Sequence, residues 1–299
     1  MNGAPEPGVA EEIEPGIRRI LAPNPSPMTF RGTNTYLIGH EDVAIVDPGP
    51  DHPAHLHAIL EATRGARIGA ILVTHAHIDH SPLARPLAVQ TGAAVYAFGD
   101  ALDGRRPVME ALAASGLAGG GEGLDVAFAP DERLSDGSEL SQWGLTAIHT
   151  PGHLPGHLCF ALGDVVLTGD HVMGWASSLV SPPDGDLGAF MESCLRLRDH
   201  PARRYLPGHG HPVEDPMARL DWLIAHRRER ERQIAAVLDA TPRSIGEIAA
   251  AVYTDTPPAL LPAAERNVFA HLIDMIEKSR VTCIGPLAVD ARFHAANVV

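Results

Sequence analysis

Residues 66–81 read ARIGAILVTHAHIDHS, and this stretch decides how the rest of the chain is understood. Its first half is an apolar run of strand character that ends abruptly in a polar loop. The loop crowds His75, His77, Asp79 and His80 into six positions. Neutral imidazoles and carboxylates are good ligands for Zn²⁺ at about 2.0–2.2 Å. His75 and His77, two apart, can point the same way from extended backbone, while Asp79 and His80 can address a second position. A single histidine is usually a hydrogen-bonded structural residue, and the chain has 17 of them. The HxHxDH grouping at a strand end is what marks a metal site.

Working outward, residues 42–49 (DVAIVDPG) read as a buried strand and residues 52–65 as a helix. Residues 81–92 read as a helix with Ser81 as N-cap, Pro82 at the first helical position and Gly92 closing it. Residues 93–98 read as another strand. In residues 158–170 (LCFALGDVVLTGD) two apolar runs joined by Gly163 and Asp164 signal a hairpin. Residues 188–200 read as a helix, and the glycine-rich residues 115–124 as a flexible loop. Strands alternating with helices indicate a layered α/β architecture.

The character changes near residue 215. Residues 217–240 form one long helical pattern. Ser244 and Glu247 match a capping box that opens a second helix, and a third runs over 262–279. Residues 281–293 read as a hairpin turning at Gly285 and Pro286. Three helices and a small hairpin are the pattern of a winged helix. The chain thus divides into a larger domain, 1–215, which carries the histidine loop and is the expected catalytic domain, and a winged-helix-like domain, 216–299. On the third helix Arg266, Lys278 and Arg280 face Glu265, Asp274 and Glu277, which is no basic recognition face. The C-terminal part therefore reads as a packing or dimerisation module, compatible with a homo-oligomer.

The formal charge is −14. Residues 1–216 hold 13 Arg against 27 Asp and Glu, whereas residues 217–299 balance ten basic against ten acidic side chains. A nucleic-acid groove wants the opposite sign, so a small-molecule substrate is favoured over nucleic acid. Bound divalent cations would cancel part of the excess. No apolar run approaches the roughly 20 residues of a membrane span. The N-terminal stretch shows no secretory or transit signal, so a cytoplasmic location is expected. Cys159, Cys194 and Cys283 form no CxxC and read as core thiols in a reducing compartment.

Further candidate ligands stand at the ends of other apolar runs. Residues 149–157 (HTPGHLPGH) supply His149, His153 and His157, residues 168–171 (TGDH) supply Asp170, and residues 206–211 (LPGHGH) supply His209. With these motifs in place, THAHIDH, TPGH, GD and PGH, the chain resembles the metallo-β-lactamase superfamily over residues 18 to about 215. NPSPMTFRGTNTYLIG near the start, the stretch after Asp170 and the winged-helix tail are similar to its β-lactamase-like protein 2 group.

That resemblance implies an αββα sandwich with its site at one edge, between two sheets. It implies a first zinc on His75, His77 and His153, a second on Asp79, His80 and His209, and Asp170 bridging the two. Iron or manganese are the alternative metals. A hydroxide held between the ions would attack the substrate, with Asp79 taking the proton. Asp47 is a candidate to orient a ligand histidine, or else a structural strand-end residue. His149 reads as structural and His157 as a support to the ligands. His171 and Trp175, just past Asp170, are candidates to line the pocket, although a tryptophan is more commonly core.

Secreted metallo-β-lactamases normally lack the bridging carboxylate that Asp170 would supply. Flavodiiron proteins carry Glu where His77 stands. Nucleases with a large inserted domain need more than the 38 residues between Asp170 and His209. The expectation is a zinc hydrolase of a small ester, thioester or lactone. The alternatives are an endoribonuclease on single-stranded RNA, as in mammalian relatives of the group, and a metal-holding interaction protein.

Overall fold

The computed structural model describes residues 5–257 and 260–296. Seven strands lie side by side in chain order: β1 (Ala10–Glu14), β2 (Ile17–Leu21), β3 (Asn34–Ile38), β4 (Asp42–Val46), β5 (Arg67–Leu72), β6 (Ala94–Ala97) and β7 (Glu132–Arg133). A second sheet runs in reverse chain order: β12 (Arg204–Pro207), β11 (Val165–Gly169), β10 (Leu158–Leu162), β9 (Leu145–His149) and β8 (Glu139–Leu140). Strands β4 to β7 are mutually parallel, and so are β11 and β12. Parallel neighbours need crossover connections, supplied here by helices α1 (Pro53–Ala62), α2 (Ala84–Thr91) and α4 (Leu187–Arg198). Between α2 and α4 lies α3 (Pro107–Ala114).

Alternation within the strands makes the layers. Val43 and Ile45 face Ile59 of α1 and Leu87 of α2, while Ala44 and Val46 face the other sheet. In the second sheet Leu158, Phe160, Val165 and Leu167 face the first, while Cys159 and Val166 face Phe190 and Cys194 of α4. Strands buried on both sides have no polar face, as the apolar runs required. The result is helix, sheet, sheet, helix: the αββα sandwich.

The C-terminal segment opens with α5 (Pro216–Val237), continues with α6 (Ile245–Val252) and α7 (Leu261–Glu277), and adds the three-stranded sheet β13 (Arg243–Ser244), β15 (Arg292–Ala295), β14 (Val281–Ile284). This is the winged helix. The capping box is formed, with Ser244 and Glu247 exchanging side-chain and backbone bonds. Helix α5 is shared. Leu220, Leu223 and Ile224 pack with α4, whereas Ile234 packs with Leu272 of α7 and Phe293 of β15. Met109 and Leu112 of α3 enter that second core.

Three local expectations change. Helix α2 begins at Ala84 with Leu83 at its N-cap and no side-chain cap, and the Ser81 hydroxyl instead bonds the His77 carbonyl and the Asp125 carboxylate. Strands β14 and β15 are separated by residues 285–291, so the wing is a loop and not a tight turn at Gly285. Residues 115–124 are irregular, but the Ile78 N–H donates to the Gly123 carbonyl, which ties this loop to the histidine cluster.

Candidate metal centre

The parallel strands β4 and β5 end on the same edge as β11 and β12, and the loops leaving that edge carry the polar residues. His75, His77 and His153 offer ligand atoms within 4.8 Å of one another; so do His75, His80 and Asp170, and so do Asp79, His80 and His209. The seven candidates singled out in the sequence therefore converge on one place, and all are buried.

Two subsites can be told apart. In one, His77 Nδ1 lies 3.1 Å from His75 Nε2 and 3.0 Å from His153 Nε2. In the other, His209 Nε2 lies 3.3 Å from His80 Nε2 and 3.1 Å from Asp79 Oδ2. Asp170 stands between them: its Oδ2 is 3.7 Å from His153 Nε2 and 3.3 Å from His209 Nε2.

Hydrogen bonds behind the rings settle which nitrogen faces inward. The Thr74 hydroxyl donates to Asp47 Oδ2 at 2.8 Å, so it can only accept from His75 Nδ1 at 2.9 Å. His153 Nδ1 donates to the Leu179 carbonyl, His209 Nδ1 to the Gly32 carbonyl and His80 Nδ1 to Asp47. Four rings thus turn Nε2 toward the centre, the arrangement that orients metal-binding imidazoles. Two glycines make room. A Cβ on Gly208 would come within 2.5 Å of Asp170 Oδ1, and one on Gly169, at φ +46°, within 2.7 Å of His157 Nε2.

Burial pushes the pKa of His75 well below the usual value, that of His77 down to about 3, and that of His153 down, so these rings are neutral and offer lone pairs. Burial also opposes charge on His80 and His209. There the carboxylates outweigh it: Asp79, Asp170 and Asp47 hold His80 well above its ordinary value, and Asp170 and Asp79 push His209 up to about 9. Despite their burial, the same rings hold Asp79 and Asp170 well below the carboxylate range.

The donors fit a pair of divalent cations. Around His77 Nδ1 the ring nitrogens of His75 and His153 approach at hydrogen-bond distance, nitrogen facing nitrogen, and Asp170 Oδ1 is buried without a hydrogen-bond partner among the described residues. A buried polar atom left so is costly, and cations would satisfy all of these groups together.

A cleft of about 180 Å³ opens over the cluster. Its floor holds His77, Asp79, His153, Asp170 and His209; its walls include Pro27, Met28, Met173, Trp175 and Leu179, and α7 adds Ala263 and Asn267. Trp175, 37 % exposed, lines it and stacks on Phe30 at 5.1 Å, so it is not a core tryptophan. His171 does not line it. Its ring packs on Phe190 and approaches Cys194 Sγ at 3.6 Å, under α4, because the turn at Asp170 sends successive side chains to opposite sides. His157 accepts from the Asp170 N–H and bonds the Thr150 hydroxyl, supporting the loop from beneath. His149 bonds the Pro155 carbonyl and stacks on Phe98, a structural role. Asp47 accepts from both the N–H and the hydroxyl of Thr74 and holds His80. The sequence reading missed Thr74, Leu179 and Asn267.

A family model described as the metallo-beta-lactamase superfamily matches residues 28–209, and one described as the beta-lactamase associated winged helix domain matches residues 244–285. A beta-lactamase-like protein 2 homolog of Drosophila melanogaster is 32 % identical over 283 residues, 89 % of each chain. An atrochrysone carboxyl ACP thioesterase of Aspergillus fumigatus is 28 % identical, covering 88 % of this chain and 77 % of that one. Among solved structures, a metallo-beta-lactamase family protein from Thermus thermophilus superposes with a TM-score of 0.73 at 26 % identity, covering 95 % of this chain and all of the other.

Proposed function

The chain belongs to the metallo-β-lactamase superfamily, and from that premise we propose that it is a dinuclear zinc hydrolase of a small ester, thioester or lactone, with a thioester the favoured class. The observation that carries this is the cleft. The histidine–carboxylate cluster forms its floor, its walls are largely apolar, and among the described residues no Lys or Arg lines it. A phosphodiester chain would meet Asp79, Asp170 and Glu122 there with no lysine or arginine to pair its charges. The thioesterase activity in the name of the Aspergillus relative supports the same class.

His75, His77 and His153 would hold one ion, Asp79, His80 and His209 the other, and Asp170 both. Zinc suits this nitrogen and oxygen donor set, with iron or manganese as alternatives. When bound, the pair supplies a water acidic near neutral pH and Lewis acidity toward the substrate carbonyl. Asp79, held ionised by the rings around it, would take the proton released as the substrate is attacked. Thr74 and Asp47 keep His75 and His80 in their tautomers. Met28, Met173 and Trp175 shed water around an apolar acyl group. A closed structural metal site would need no cleft above it, which speaks against a metal-holding interaction protein.

The test is a panel of thioesters, esters, lactones, phosphodiesters and single-stranded RNA offered to zinc-loaded protein. Turnover confined to the acyl substrates supports the reading; turnover of RNA alone refutes it.

A further inference from the structure

We propose that Asn267, brought to the cleft by the C-terminal helix α7, donates a hydrogen bond to a neutral acceptor of the substrate, an amide carbonyl, and that Arg227 is the residue that orients it. This inference rests on the acyl-hydrolase reading and names the feature its substrate must carry.

Arg227, on α5, is only 4 % exposed and has no carboxylate in ion-pair reach among the described residues. Its Nη1 donates to Asn267 Oδ1 at 3.1 Å and its Nη2 to the Ser178 carbonyl. A guanidinium has donors only, so the Asn267 carbonyl must be the atom facing it. The amide NH₂ is thereby turned away from Arg227, and among the described residues it donates to no protein group. Asn267 lines the same cleft as His153 and Asp170, so a fixed donor without a protein partner among the described residues borders the substrate's space. Its anchor is tied to the metal loop, because the single proton of the Ser178 hydroxyl is shared between the Asp170 and His171 carbonyls.

A buried guanidinium without a counter-ion is expensive, and an apolar side chain would join these helices at less cost. What Arg227 adds is the orientation of Asn267. The other wall is apolar, with Met28, Met173 and Trp175. A substrate with an apolar acyl group and an amide-bearing arm matches both walls at once.

Two variants of the zinc-loaded full chain test this. Asn267→Asp keeps the acceptor toward Arg227 and the side-chain shape but removes the donor. Asn267→Leu removes the donor without adding charge. Each is assayed on S-butyryl pantetheine, whose thiol arm carries amides, and on S-butyryl ethanethiol, which has none. Binding of the unreactive thioether S-butyl pantetheine is titrated in parallel. Both variants should lose about 10-fold in kcat/KM on the pantetheine ester, mostly through KM, keep their rate on the ethanethiol ester, and bind the thioether about 10-fold more weakly. Equal losses on both esters, or unchanged affinity for the thioether, would overturn the assignment. If wild type hydrolyses neither ester, the thioester class favoured above fails, while the thioether titration still decides the role of Asn267.

Discussion

Asp47 Oδ2 lies 2.9 Å from Nδ1 of His80 at the heart of the histidine cluster. The same carboxylate accepts from the N–H and the hydroxyl of Thr74, and Asp47 adopts a left-handed φ of 51° to do so. One side chain at the end of β4 thus fixes the start of the histidine loop and the tautomer of a ring at its end. Such strain in a non-glycine residue persists only where the surroundings over-determine it.

Replacing Asp47 by Ala should therefore weaken the metal position built on His80 by about 10- to 100-fold. A competition titration with a zinc chelator reads this directly. Zinc affinity equal to wild type would show that Asp47 is a strand-end residue and nothing more.

Asp79→Ala and His80→Ala should cut acyl hydrolysis by on the order of 10²-fold or more, since they remove a proton acceptor and a metal position. Both lie on the loop beyond β5, so circular dichroism should show the native fold. Near wild-type turnover at full metal loading would contradict the roles given to them.

The titration of His209 makes the metal-free protein sensitive to alkali. Its pKa is pushed up to about 9 in the folded chain, against roughly 6.5 when unfolded. Its stabilisation is complete below the unfolded value and is lost as pH rises through the folded one. The rings with depressed pKa values, such as His77, work in the opposite sense, gaining stability as the unfolded ring loses its proton, and their share is complete by about pH 7.5. The melting temperature of chelator-treated protein should fall between about pH 7.5 and 9, whereas zinc-loaded protein should not show this fall, because the ions replace the protons. A flat or rising profile for the metal-free protein would count against the ionic pairing of His209 with Asp79 and Asp170.

RNA should bind weakly, with a dissociation constant above about 10 μM at physiological salt and no sequence preference. Arginines that stand close together in the sequence are largely engaged with carboxylates: Arg105 with Asp184, Arg106 with Asp186 and Glu277, Arg203 and Arg204 with Glu14, Arg232 with Glu229. Fluorescence anisotropy across a salt series, on an Asp79→Ala background, is the check. Sub-micromolar binding with a steep salt slope would favour the ribonuclease reading.

The fold was legible because its strands are buried on both faces and end in motif-bearing loops; an apolar run closed by THAHIDH, TPGH, GD or PGH states both a strand and where it stops. Helix α3 was not, since it buries only Met109 and Leu112, too few positions to set a period. The start of α2 was misread because Ser81 looks like a cap while its hydroxyl serves the histidine loop. His171 adjoins a candidate ligand in sequence, but a turn separates neighbours in space. Asn267 follows His209 by 58 residues on a helix without a motif, and only the docking of α7 onto the cleft reveals it.

The most direct measurement is the rate of hydrolysis of the best acyl substrate from the panel as zinc is added back to chelator-stripped protein. Two cooperating ions predict no turnover in the stripped protein and a rate that climbs to a plateau at two equivalents per chain. Turnover that survives removal of metal, or a plateau reached at a single equivalent, would contradict the two-metal centre proposed on His75, His77, Asp79, His80, His153, Asp170 and His209.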